Sequence, residues 1–274
     1  MRKLVIIVCF FLCAAVGCSH NSQEATKYIE KGYVSFKAGQ LQAAIADYSK
    51  AIEIDPDNVE AYTNRGYTYQ QLGDIQKAIA DYNDAIELDP QKTIAYYNRG
   101  LLYHTLGNER QAFVDFNKTV ETDPNYALGY HLRGLTLHAL GDHQKAIEDL
   151  DKAIKLDPKD ANAYYNRGNF FTKHGDDTPA IADYNKAIEL DSNFPLPYLN
   201  RGIVYLNLGG YQQALSDFTK VIELNPHNAV AYSYYYRGLV KQKLGDNEDA
   251  CQDWQKANEL GYKQAAAMIE FHCK

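Results

Sequence analysis

"AYYNRG" stands at residues 95–100 and returns at 163–168. The interval is 68 residues, two steps of 34. Fixed spacing of this kind marks a tandem repeat. Placing Gly100 eighth in a 34-residue unit sets starts at Ala25, Val59, Thr93, Ala127, Ala161 and Pro195. A seventh start falls at Ala231, 36 residues further on, because "AVAYSYYYRG" carries two extra residues near 229–234.

In this register the eighth residue is always Gly: Gly32, Gly66, Gly100, Gly134, Gly168, Gly202 and Gly238. The twentieth is always Ala, from Ala44 to Ala250. The twenty-fourth is bulky: Tyr48, Tyr82, Phe116, Leu150, Tyr184, Phe218 and Trp254. Small residues on two helices allow close approach, and a large one fills the space beside them. The fifteenth residue is Gly throughout, from Gly39 to Gly245, suited to the left-handed turn that ends a helix. Asp74, Asn108, Asp142, Asp176 and Asp246 follow and are expected to cap the next helix. Pro56, Pro90, Pro124, Pro158 and Pro226 close five units, since Pro disfavours helical geometry in the residue before it. The fifth unit has Asp191-Ser192 instead, with Pro195 and Pro197 at the next helix start.

These motifs resemble the tetratricopeptide repeat, a helix–turn–helix unit, over residues 25–264. The resemblance implies an all-α fold: a right-handed superhelical solenoid of antiparallel helix pairs. Stacked pairs share one core that no single pair can close, so the pattern predicts one elongated domain. The tail "GYKQAAAMIEFHCK" reads as a capping helix that ends over residues 265–274.

The repeated base is then a structural part. Lys31, Arg65, Arg99, Arg133, Arg167, Arg201 and Arg237 stand seventh, and Asp47, Asp81, Asp115, Asp149, Asp183, Asp217 and Asp253 stand twenty-third. Both places are equally far from the turn on antiparallel helices, so each base is expected to pair with an Asp of its own or a neighbouring unit.

In this family the second, fifth, ninth, twelfth and thirteenth residues usually face a concave groove. Here they include Tyr33, Tyr67, Tyr97, His104, His131, His138, Tyr165, Asn169, Leu199 and Tyr235. Tyrosine offers contact area with a polar tip, which suits an extended peptide or a partner helix. Packing between adjacent first helices is the competing role for each of them. Lysines matching a chaperone-tail clamp are missing from the fifth places. His104, His131 and His138 lack a Cys or carboxylate companion, so no metal site is expected. With no nucleophile motif, phosphate loop or zinc signature, the sequence is read as non-enzymatic and free of cofactors.

The first 17 residues, "MRKLVIIVCFFLCAAVG", combine Arg2 and Lys3 with an apolar run, the pattern of an export signal. An ordinary signal peptide, an uncleaved anchor and a lipoprotein signal all fit it. Ala15-Val16-Gly17-Cys18 resembles a bacterial lipobox, which implies lipidation of Cys18 and a linker over 18–24. Ser19 then leans towards the outer membrane. Losing Arg2 and Lys3 takes the formal charge from −7 to −9, which argues against a nucleic-acid partner. In an oxidising compartment, Cys251 and Cys273 are expected to form a disulfide; two buried thiols are the alternative. The function this reading implies is an envelope-facing scaffold that is anchored by lipid and docks envelope proteins. Glycan or peptidoglycan binding through the tyrosines is the second reading.

Overall fold

The computed structural model describes residues 22–224 and 229–273. The expected signal at 1–17, Cys18 and Pro226 lie outside these residues. All regular structure among the described residues is helical.

Helices α1 (22–37), α2 (Leu41–Ile54), α3 (Val59–Leu72), α4 (Ile75–Leu88), α5 (Thr93–Thr105), α6 (Glu109–Thr122) and α7 (Ala127–Ala139) form the first compact unit, which ends at Leu140. The second unit holds α8 (His143–Leu156), α9 (Ala161–Lys173), α10 (Asp177–Leu190), α11 (Pro195–Asn207), α12 (Tyr211–Leu224), α13 (Val230–Leu244), α14 (Asn247–Glu259) and α15 (Gln264–His272). Where the repeat pattern alone suggests one continuous domain, the contacts thus group into two. In repeat chains each unit touches only its neighbours.

Helices α3, α5, α7, α9 and α11 begin at the unit starts set by the 34-residue register. Two boundaries differ. Residues 22–24, expected in a linker, already belong to α1. Helix α13 starts one residue before Ala231.

All seven glycines at the fifteenth place have positive φ, from 74° to 92°. At Gly73 the conformation lets its own N–H reach Gln70 O at 3.0 Å and that of Asp74 reach Tyr69 O at 2.9 Å, which satisfies carbonyls a helix end leaves open. The expected caps are weaker. Asp74 and Asp142 accept only at 3.4 Å, while Asn108, Asp176 and Asp246 make no side-chain cap bond. Asn58 and Asp160 cap the first helices α3 and α9 instead.

Nor is Pro what shapes the turn between units. Asp191 before Ser192 (φ −141°, ψ 96°) matches Asp89 before Pro90 (φ −135°, ψ 93°). The carboxylates of Asp89, Asp123, Asp157 and Asp191 each accept from the backbone N–H two residues on, at 2.9–3.0 Å. That local bond sets the turn.

The seven alanines at the twentieth place are fully buried. A Cβ on Gly100 would lie 2.8 Å from Phe116, and one on Gly238 2.5 Å from Trp254. Glycine at the eighth place is therefore a demand of close packing on the aromatic ring.

Candidate functional site

The repeat arginines are committed to structure. Arg65 donates through Nε and Nη2 to the two carboxylate oxygens of Asp81, at 2.9 and 2.8 Å. The same fork joins Arg99 to Asp115, Arg167 to Asp183, Arg201 to Asp217 and Arg237 to Asp253. Each pair lies within one repeat. Lys31 holds Asp47 at 2.7 Å, and Asp149 is buried. A third bond, which the sequence reading missed, runs from Nη1 back to the preceding repeat. Arg65 reaches Ser49 at 3.0 Å, Arg99 reaches Asn83 at 2.6 Å, Arg133 reaches Asn117 at 2.8 Å and Arg167 reaches Asp151 at 2.5 Å. Arg201 binds Asn185 likewise.

Each guanidinium also sits 5.3–5.8 Å from the ring three residues earlier, from Tyr62 to Tyr234. Tyr96 and Arg99 of "AYYNRG" are one such pair. Burial pushes the carboxyls of Asp81, Asp115, Asp183 and Asp217 up, and the facing arginine pulls each back. Hydrogen bonds to Asp81 and Asp253 hold Arg65 and Arg237 above the usual range.

The expected groove residues do not form one open row. Tyr33 and Tyr67 are 53% and 40% exposed. Phe36 backs Tyr67 with ring centroids 5.5 Å apart. Tyr97 and Tyr165 are half-buried because Tyr126 and Phe194, at the end of each connection, lie 5.1 Å from them. Tyr235 is met by Tyr262 at 4.9 Å. His131 and Leu199 are 6% and 9% exposed and are corrected as contact residues. Leu199 joins Phe218 and Val221 in the core, whereas Tyr97, Tyr165 and Tyr235 at the same fifth place are half-buried.

His104 contacts Glu109 at 2.9 Å. His138 is half-buried and has a polar or ring contact of its own. Asn169 accepts from Asn200 at 2.7 Å and from the Tyr184 hydroxyl at 2.9 Å. The unexplained "YSYYY" stretch builds an aromatic cluster at the end of the second unit. Tyr232 lies 4.6 Å from Tyr262 and 6.0 Å from Tyr236. Burial and the Tyr232 hydroxyl push Tyr262 up to about 12.

Two clefts lie on first-helix faces, one in each unit. The first, of about 490 Å³, is lined by Glu60, Thr63, Asn64, Tyr67, Lys92, Ile94, Tyr97 and Asn98. The second, of about 300 Å³, is lined by Asn169, Thr172, Lys173, Tyr184, Asn200 and Ile203. At the C-terminal end, α15 covers α14. Cys251 and Cys273 have Cα atoms 5.6 Å apart, within disulfide reach. Trp254 beneath them is fully buried.

Family profiles for the TPR repeat match residues 32–73, 68–107, 134–175 and 168–209. Profiles for the tetratricopeptide repeat match 94–126, 116–148 and 195–228. This chain belongs to the tetratricopeptide repeat family.

Solved structures agree on the fold. A tetratricopeptide repeat protein from Parabacteroides merdae superposes with TM-score 0.65 at 24% identity, covering 92% of this chain and all of that one. MamA gives TM-score 0.55 at 28% identity, covering 59% and 94%. YrrB, described as a TPR protein with an unusual peptide-binding site, gives 0.58 at 24%, covering 68% and 95%. No curated protein sequence matches the chain. Tetratricopeptide repeat proteins are generally non-enzymatic scaffolds for protein–protein interaction, and the architecture here is of that kind.

Proposed function

We propose that this protein is a scaffold of the bacterial cell envelope, anchored through lipid on Cys18, that docks a peptide or helix of another envelope protein on its first-helix face. The carrying observation is the contrast between two repeated sets of residues. The arginines are consumed by forks to their own repeat and bonds to the preceding one. Tyr33 and Tyr67, by contrast, stand exposed, and Tyr67 forms part of the wall of the first cleft. Such aromatic side chains are enriched at protein interfaces. Among the described residues no helix is long and apolar enough to cross a membrane, so membrane attachment in this reading rests on the N-terminal lipid. Stable attachment needs more than one acyl chain. The disulfide between Cys251 and Cys273 belongs to the same proposal, because export supplies the oxidising surroundings.

Photo-reactive side chains placed at residues 33 and 67 of the chain expressed in cells test the docking face. A discrete crosslinked protein in the envelope fraction is the expected result. Crosslinks only at a control position such as Val114, 58% exposed on the second helix α6, would overturn it. Fatty-acid labelling lost on Cys18→Ser tests the anchor separately. A glycan pull-down that succeeds where crosslinking fails would favour the carbohydrate reading.

A further inference from the structure

Glu60 and Lys92 border the first cleft from adjacent first helices, Glu60 in the first turn of α3 and Lys92 at the N-cap of α5. Neither side chain has an ion pair or hydrogen bond among the described residues, unlike Lys77 with Asp74 and Lys118 with Glu121. Between them lie Tyr67, Tyr97 and Ile94 as apolar wall, and Asn64 and Asn98 as amide groups. The second cleft differs. Its Asn169 is already bonded to Asn200 and Tyr184, and its one charged residue, Lys173, already has a contact.

We infer that the first cleft is a site for a short zwitterionic peptide, whose free ammonium meets Glu60 and whose free carboxylate meets Lys92. This rests on the peptide-docking reading above and narrows it to a ligand class. Opposite charges held apart and unpaired beside an aromatic wall complement a ligand with the reverse polarity. An apolar side chain of the peptide lies on Tyr67 and Tyr97, and its amides face Asn64. A cleft of about 490 Å³ is within the range of small-ligand sites. A neutral sugar would leave both charges without a partner.

The test is calorimetric titration of the full-length chain with the tripeptide Ala-Leu-Ala in four forms: free, N-acetylated, C-amidated and doubly blocked. Acetylation and amidation are each expected to weaken binding about fivefold, the range of a partly exposed ion pair. In Glu60→Gln the penalty for acetylation disappears while that for amidation stays. In Lys92→Met the reverse holds. A merely structural role for either residue would not produce this crossed pattern. If the doubly blocked tripeptide binds as well as the free one, the charge assignment falls and peptide docking stands. If no form binds while residues 33 and 67 still crosslink, the site falls and the scaffold reading survives. If neither occurs, both fall.

Discussion

Replacing Arg99 with Met removes a guanidinium and keeps most of the alkyl stem. Lost with it are the fork to Asp115 at 2.8 and 2.6 Å, the bond to Asn83 at 2.6 Å and the contact with the Tyr96 ring at 5.8 Å. The Asp115 side chain is only 2% exposed, that of Arg99 18%. Removing one partner of a buried pair costs about 3–5 kcal/mol. Partial exposure of Arg99, and the proton Asp115 can accept, set the expected value near the lower end, about 3 kcal/mol. At roughly 2–4 °C per kcal/mol for a chain of this size, Tm falls by about 6–12 °C.

The loss depends on pH, with a definite sign. Burial already pushes the Asp115 carboxyl up while Arg99 pulls it back, so without Arg99 it rises further. A folded pKa above the unfolded one gives stability that is fully present below the unfolded value and is lost as pH rises through the folded value. The deficit of Arg99→Met is therefore larger at about pH 7.5 than at about pH 4.5. Thermal melts followed by far-ultraviolet circular dichroism at both pH values read this directly. Adding Asp115→Leu is expected to recover most of the loss, because an apolar replacement leaves no buried charge. A deficit equal at both pH values, or a double variant no better than the single one, would refute the reasoning.

Gly238→Ala is expected to lower stability by up to about 2 kcal/mol. Its Cβ would sit 2.5 Å from Trp254, and overpacking of about 1–3 kcal/mol outweighs the gain of about 1 kcal/mol in helix propensity; a shifted Trp254 emission in the folded state accompanies it. Cys251→Ser removes one half of the proposed bond between residues 22 apart in sequence and is expected to cost about 3 kcal/mol in urea unfolding without reductant. An unfolding midpoint of the parent chain that ignores reductant contradicts the bond. Ser192→Pro is expected to stay within about 0.5 kcal/mol of the parent in the same assay, because Asp191 already holds the extended geometry Pro requires.

The parts of the fold legible in the sequence are those fixed within one repeat. Gly at the eighth place meets the ring at the twenty-fourth, Gly at the fifteenth turns left-handed, and the seventh and twenty-third residues pair, all at constant separation along the chain. Contacts between repeats were harder to read. Asn83 and Asn117 are ordinary polar residues on second helices until a guanidinium from the next repeat reaches them. The face suffered most from this. A helical register says on which side Tyr97 and Tyr165 lie, yet not that Tyr126 and Phe194 cover them, because the covering residue belongs to the following connection. One signal was present: both lids are aromatic at the thirty-fourth place, where the second and fourth repeats carry Lys92 and Asp160. The same place thus closes the face in one repeat and leaves a charge beside it in another. Variation there, on an otherwise constant frame, is where a docking preference would be written.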